Sequence, residues 1–104
     1  MTPQDAIRTL KLSIQSALVG EITDELYAVT CALDDKTIKI RSYYTGAIDS
    51  ESTEPMRCVA TEVLADFPEN YTIDEEFLPI PVDEKPLMLD FWAFLRKKKA
   101  LRSA

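Results

Sequence analysis

The stretch LYAVTCALDDKTIKIRSYY, residues 26–44, decides the fold of this chain. Two runs rich in β-branched and aromatic residues, 26–33 and 37–44, flank the polar segment 34–36. Such runs favour strands, and the short gap of turn-forming residues between them predicts a β-hairpin. Hydrophobic and polar side chains alternate in the second run, which indicates an antiparallel strand with one solvated face. The side chains expected to face the core are those of Tyr27, Val29, Cys31, Leu33, Ile38, Ile40, Ser42 and Tyr44.

A first helix is predicted before the hairpin, over residues 2–19. Thr2 can cap this helix, and Pro3 fits the first helical position, where its missing N–H costs nothing. Apolar residues then recur at spacings of three and four, which gives the helix one apolar stripe. Gly20 is suited to the turn that ends it.

A second helix is predicted after the hairpin, over residues 53–67. Proline is tolerated in the first turn of a helix, so this helix should begin near Ser52 or Thr53, shortly before Pro55. The apolar residues that follow fit the helical spacing without a miss. Pro68 ends the pattern.

The stretch YTIDEEFLPIP, residues 71–81, begins as a strand and then carries three carboxylates in a row. Adjacent carboxylates destabilise a strand through repulsion and weak strand propensity. Alternation places Asp74 and Glu76 on the solvent-facing side and Glu75 on the apolar side. We therefore expect Glu75 to lie at a strand end, a bulge or a sheet edge.

The last segment, residues 87–104, has two alternative interpretations. As a helix it begins with Pro86 at the first position and places the basic residues 96–99 at the negative end of the helix dipole. As a strand, alternate residues from Leu87 to Ala93 share a face. We favour the helix, in which Phe94 lies outside the apolar stripe and could anchor an interface. The stripe expected to be buried in that helix is Met88, Phe91, Trp92 and Leu95.

These elements predict a single α+β domain over residues 1–104, with the element order α-β-β-α-β-α. The helices are expected to pack on one face of a small antiparallel sheet. No apolar run approaches the roughly 20 residues of a membrane span, and the N-terminus lacks the apolar core of a secretory signal. Cys31 and Cys58 lie in apolar segments and are expected to be buried, unbridged thiols, which indicates a cytoplasmic protein.

The charge of the chain favours a basic protein as partner. The formal net charge is −6 and the pI is about 4.6, which argues against direct nucleic-acid binding and against an anionic membrane surface. Residues 42–95 hold twelve acidic and two basic side chains, a net of −10. The same carboxylates have an alternative role, since charge protects a sheet edge against pairing. The side chains predicted to bind the partner are Asp74, Glu75, Glu76, Glu69, Asp83 and Glu84.

Little in the sequence indicates an enzyme. The chain has no histidine, which removes the commonest general base and the commonest zinc ligand. Phosphate-binding loops, dinucleotide fingerprints and nucleophile elbows are absent from the sequence. Carboxylates could in principle bind Mg²⁺ or Ca²⁺, but their spacing does not favour it. We expect no catalytic residue, no cofactor and no metal ligand, and a carboxylate-based metalloenzyme is the least favoured alternative.

In size, acidity, lack of a catalytic constellation and α+β layout, the chain resembles the small bacterial immunity proteins that neutralise nuclease toxins of the colicin and contact-dependent inhibition types. The resemblance covers the whole chain in general character, without a motif matched residue by residue. It implies stoichiometric inhibition, in which an acidic surface occupies the basic active site of a toxin. The chain also resembles type III secretion chaperones, which are small acidic α/β proteins. A toxin gene beside its own would favour the first class, and an effector gene the second.

Overall fold

The described part of the chain forms two helices and four strands, and the strands make one sheet. The computed structural model describes residues 1–81 and 83–97. In chain order the elements are α1 (Pro3–Leu18), β1 (Leu26–Asp34), β2 (Thr37–Tyr44), α2 (Ser50–Ala65), β3 (Thr72–Pro79) and β4 (Phe91–Leu95). The strand order is β3-β2-β1-β4, and both helices pack on one face of the sheet to build the main core. The predicted α+β class is confirmed, whereas the predicted order α-β-β-α-β-α is wrong in its last element.

The predicted hairpin is confirmed. β1 and β2 pair antiparallel along their whole lengths, and Asp35 and Lys36 form the turn between them. Asp35 has a φ of +52°, a left-handed conformation that aspartate tolerates better than most residues. The β2 side chains in the main core are Ile38, Ile40 and Tyr44, as the alternation predicted.

A register shift near the start of β1 corrects the prediction for Tyr27. The pairing shifts between Leu26 and Ala28, so the strand changes phase there. Leu26 enters the main core, whereas Tyr27 packs on the other face of the sheet. The small cluster on that other face is built on Ala28, Tyr43 and Ile80.

Helix α1 begins and ends as the sequence predicts. Thr2 Oγ1 accepts a hydrogen bond from the Asp5 N–H at 3.1 Å, and Asp5 Oδ2 accepts one from the Thr2 N–H at 3.4 Å. This capping box satisfies two N–H groups that the helix itself leaves free. After Leu18, Gly20 takes a φ of +80°, which glycine adopts without steric cost. Local sequence therefore sets both ends.

Helix α2 begins at Ser50, earlier than the start near residue 53 that the position of Pro55 predicted. Asp49 caps the helix: its Oδ1 accepts from the Ser52 N–H at 2.8 Å, and Ser52 Oγ accepts from the Asp49 N–H at 2.9 Å. Pro55 therefore lies inside the helix and cannot donate to the carbonyl of Glu51. The predicted start near residue 53 is wrong because the capping box outweighs the one backbone bond that proline removes.

Strand β3 occupies the predicted stretch but runs parallel to β2. The register pairs Thr37 with Thr72 and Tyr44 with Pro79. Helix α2 carries the chain from the end of β2 back to the level of its start, so the next strand runs in the same direction. The prediction of an antiparallel sheet is therefore wrong, and the sheet is mixed.

The C-terminal segment forms strand β4, so the favoured helix is wrong. β4 pairs antiparallel with β1. Thr30 Oγ1 donates to the Phe91 carbonyl at 2.7 Å and accepts from the Leu89 N–H at 2.8 Å. Because Thr30 is completely buried, its strand needs a partner on this side to satisfy the backbone. A helix over these residues would leave that edge of β1 unpaired.

The side chains of residues 88–95 are buried differently from the helical prediction. Met88 and Leu95, expected in the core, are 50% and 49% exposed. Phe94, which a helix would place outside its apolar stripe, packs against the main core beneath the Arg96 guanidinium, whose carbon lies 5.4 Å from the ring centroid. Of the basic residues 96–99 that were predicted to end a helix, Lys98 and Lys99 lie outside the described residues, whereas Arg96 donates to the Leu26 and Thr23 carbonyls.

Candidate partner-binding surface

β3 forms one edge of the sheet, as its three adjacent carboxylates predicted. None of its eight residues is fully buried, in contrast to β1 and β2, which are mostly buried. An edge strand presents backbone N–H and C=O groups that have no partner within the sheet. The candidate surface is therefore a strand edge with carboxylates along it.

Asp74 and Glu76 lie on the sheet face that points away from the helices, as alternation predicted. Asp74 is exposed and has no ion-pair partner among the described residues. Lys39 lies opposite it in register but contacts Asp34, with 3.8 Å between Nζ and Oδ2. Glu76, in contrast, accepts from Arg41 on β2 at 3.1 Å. One of the two outer carboxylates is therefore already neutralised within the fold.

The third carboxylate, that of Glu75, lies on the helix-facing side of β3. Its Oε1 atom is buried and has no hydrogen-bond partner among the described groups. Burial raises the pKa of Glu75, and the charge of Arg57 on α2 opposes the rise. The hydroxyls of Ser42 and Tyr44, on the same side of the neighbouring strand, are also buried without partners. Glu75 is thus a partly desolvated carboxylate held at an edge.

The remaining predicted site residues lie beyond the two ends of β3. Glu69 precedes the strand, whereas Asp83 and Glu84 follow it, and all three side chains are exposed. The eight residues of β3 span about 23 Å between these groups. The six carboxylates therefore do not form one tight cluster; they are distributed along the edge and on both faces of the sheet.

Cys58 is exposed, so the prediction that it is buried is wrong. It lies beside the apolar stripe of α2, and its Sγ is 3.8 Å from Glu54 Oε1. Desolvation, followed by the charges of Glu54, Glu21 and Glu62, raises the pKa of this thiol. Cys31 is buried as predicted, and burial raises the pKa of its thiol to about 12. Neither thiol is activated as a nucleophile.

A groove that the sequence did not predict lies at the opposite edge of the sheet. It lies beside β4, where two apolar side chains expected in the core, Met88 and Leu95, reach solvent. The alternative interpretation of residues 87–104 as a strand would have indicated this groove, because a short edge strand leaves such side chains uncovered. Residues lining this groove include Tyr27, Lys85, Met88, Trp92, Leu95 and Lys97.

The model of the MafI2 immunity protein family matches residues 7–98. The chain belongs to the MafI2 immunity protein family. The match thus confirms the expected resemblance to immunity proteins as a class. Among proteins with curated descriptions, none matches the chain significantly. The match runs from the second turn of α1 past the end of β4, so the MafI2 family region includes both edges of the sheet.

Two further observations describe this MafI2-family chain. Across residues 1–81 and 83–97, no three acidic or cysteine side chains come together in a group that could hold a metal ion. Neither of the described helices is long and apolar enough to cross a membrane. Membership of an immunity protein family indicates that the chain acts on a toxin.

Proposed function

We propose that this immunity protein neutralises a basic nuclease toxin by stoichiometric binding through the carboxylates along β3. Family membership supports a toxin as the partner. The single observation that carries the binding mode is the open edge of β3, where Arg41 is the only base described in an ion pair with the three adjacent carboxylates. The side chains proposed to contact the toxin are Asp74, Glu75, Glu76, Glu69, Asp83 and Glu84.

Electrostatics make a nuclease a suitable partner for this edge. A nuclease binds the phosphates of its substrate with lysine and arginine side chains. A surface with carboxylates along one edge offers those cations a substitute for phosphate. The net charge of −10 over residues 42–95 also attracts a basic protein from a distance, and such steering raises association rates by roughly 10- to 1,000-fold.

In this proposal the protein needs no catalysis and no cofactor of its own, because an inhibitor that covers an active site requires only affinity. Its negative charge keeps it from binding nucleic acid directly. The encounter takes place in the cytoplasm, where a nuclease finds its substrate. The unbridged thiols of Cys31 and Cys58 are compatible with that compartment.

The test compares two charge reversals of equal size, Asp74→Lys on β3 and Asp24→Lys in the turn before β1. Both aspartates are exposed, and β1 is two strands away from β3 in the sheet. Each variant is mixed with the purified toxin domain encoded beside its gene, and association is followed by stopped flow at low and high ionic strength. We expect Asp74→Lys to slow association by roughly tenfold at low ionic strength, and Asp24→Lys to slow it far less.

Nuclease activity at a one-to-one ratio provides the second measurement. The parent protein should abolish cleavage by the toxin domain, and Asp74→Lys should inhibit less at the same concentration. Equal association rates for the two variants, with unchanged melting temperatures, would leave the β3 carboxylates as edge protection alone. A toxin domain that cleaves no nucleic acid would contradict the proposed substrate class.

A further inference from the structure

The backbone of β3 has a fixed set of free hydrogen-bonding groups. The Thr72 N–H donates to the Lys36 carbonyl at 2.9 Å, and the Ile80 N–H donates to the Tyr44 carbonyl at 2.9 Å. In a regular strand, every second residue points its N–H and C=O to the same side. The even-numbered residues from 72 to 80 therefore face β2. The N–H and C=O groups of residues 73, 75 and 77 face the open edge.

This open edge is long for one that the fold leaves unpaired. β3 has eight residues, whereas β4, at the other edge, has five. Natural proteins usually shorten, cover or charge such an edge to prevent pairing with another chain. Here the described elements leave it uncovered, and protection comes from charge. Pro79 limits the ladder at one end, because it has no N–H to donate.

The charges do not protect the edge equally against all strands. A second copy of the chain would bring its own Asp74, Glu75 and Glu76 against the same three residues, which is repulsive. A basic strand would instead find carboxylates on both faces of the sheet: Asp74 and Glu76 on the outer face, Glu75 on the helix-facing side. The edge thus excludes its own copy and accepts a strand of opposite charge.

We infer that the toxin docks by adding an extended basic segment to β3 as a fifth strand of the sheet, with lysine or arginine side chains on both of its faces. This inference rests on the proposed function and specifies its geometry. Backbone hydrogen bonds to residues 73, 75 and 77 supply affinity, and the side-chain charges supply register. Glu76 is already paired with Arg41, so the carboxylates that gain a new cation are Asp74 and Glu75.

Glu75 is the residue at which an added basic strand gains the most favourable interaction. Its Oε1 is buried and has no hydrogen-bond partner among residues 1–81 and 83–97, so part of its desolvation has already occurred before binding. A cation placed beside it therefore gains an interaction at a lower desolvation cost than one placed beside a fully hydrated carboxylate. The same residue also presents its backbone N–H to the open edge. Side-chain and backbone recognition thus coincide at one residue.

Amide hydrogen exchange of the intact protein tests the docking mode without any variant. In the free protein, the amides of residues 73, 75 and 77 should exchange fast, and those of residues 74, 76 and 78 slowly. Binding of the purified toxin domain should slow the first set by at least about tenfold and change the second set little. Fast exchange at 73, 75 and 77 in the saturated complex would overturn the inference.

A matched pair of variants, Glu75→Pro and Glu75→Gln, separates the backbone from the charge. Both remove the carboxylate, but only proline removes the outward N–H, for which the described part of the chain shows no acceptor. We expect Glu75→Pro to bind the toxin domain at least about tenfold more weakly than Glu75→Gln, with similar melting temperatures. Equal affinities would overturn the inference. If Glu75→Pro does not fold, the exchange experiment on the parent protein decides.

The outcomes distinguish this inference from the proposed function. A toxin domain that binds and is inhibited, but leaves the β3 amides unprotected, retains the proposed function and removes strand addition. A toxin domain that does not bind the parent protein at all removes both. Protection of residues 73, 75 and 77 in the absence of toxin would show pairing between copies and contradict the argument from charge.

Discussion

Arg41 on β2 and Glu76 on β3 form a part-buried ion pair across the only parallel strand pair of the described sheet. Arg41 Nε donates to Glu76 Oε1 at 3.1 Å, and Arg41 Nη2 lies 3.1 Å from the same oxygen. The pair belongs to a longer chain of contacts: Arg41 Nη1 donates to the Tyr43 hydroxyl at 3.3 Å, and that hydroxyl donates to the Leu87 carbonyl at 2.8 Å. The edge strand is thereby connected to the segment that leads to β4.

The first prediction concerns the two outer carboxylates of β3, which have different roles. Glu76→Gln should lower the free energy of unfolding by about 0.5–1 kcal/mol, because Arg41 loses its charged partner in a partly exposed pair. Asp74→Asn is the matched control, since Asp74 has no ion pair among the described residues, and it should change stability by less than about 0.3 kcal/mol. Urea unfolding measures both. Equal losses would mean that the Arg41 pair does not support β3.

Glu75 leads to a prediction about pH. Because burial raises the pKa of Glu75 in the folded state, the folded protein holds this proton more tightly than the unfolded chain. Stability should therefore fall as pH rises from the ordinary glutamate pKa of 4.5 to the raised value, and the loss is complete above it. Glu75→Gln removes this loss, so it should melt at a higher temperature than the parent at neutral pH. The difference should vanish below pH 4.5.

Thermal melting across this pH range decides whether the Glu75 carboxylate destabilises or stabilises the folded protein. A parent protein that is more stable than Glu75→Gln at neutral pH would contradict the prediction. It would indicate that Arg57 on α2, whose charge opposes the rise in the pKa of Glu75, forms a firm ion pair with this carboxylate in solution.

The packing of α2 gives a prediction about the core. Val63 is completely buried between α2 and the sheet, so Val63→Asp should destabilise the protein by about 3 kcal/mol or more, because it buries an unpaired carboxylate. Thr61→Asp places the same side chain on the exposed face of the same helix and should stay within about 0.5 kcal/mol of the parent. Denaturant unfolding of both variants tests the orientation of α2. Similar losses would show that α2 packs on the sheet with a different side of the helix.

The two cysteines should differ in their reaction with a thiol reagent in the native protein. Cys58 should be labelled without unfolding because it is exposed, but more slowly than a free thiol, because its pKa is raised by desolvation and by the charge of Glu54. Cys31 should react only on unfolding. Glu54→Gln should speed the labelling of Cys58 at neutral pH. A labelling rate that does not change in this variant would exclude the proposed charge effect.

Much of the candidate surface could be predicted from local patterns. Three consecutive acidic residues in an alternating strand placed Glu75 on the apolar side, and an edge position follows because only there can a carboxylate on that side reach water. The pairing of Glu76 with Arg41 could not be predicted. It depends on the parallel register of two strands that are separated along the chain by a whole helix, and no local pattern specifies that register.

The interpretation of the C-terminal segment shows the same limit. Residues 87–95 fit both a helical stripe and a strand alternation, so the hydrophobic pattern favoured the helix without deciding between the two. The exposure of Cys58 was missed for a related reason. It lies in a segment where apolar residues recur at helical spacing, but a one-position difference in helical phase places its side chain outside the stripe that packs on the sheet.

The sequence by itself determined the features that depend on neighbouring residues, either through hydrogen bonds that close within a few residues or through a local side-chain pattern. These are the capping box of Thr2 and Asp5, the left-handed Gly20, the hairpin turn at Asp35 and the alternation of β2. Only the tertiary structure decided the parallel direction of β3 and the strand conformation of β4. Both depend on partners far away in the chain: α2 sets the direction of β3, and the open side of β1, with the buried Thr30, supplies the hydrogen bonds that make residues 91–95 a strand.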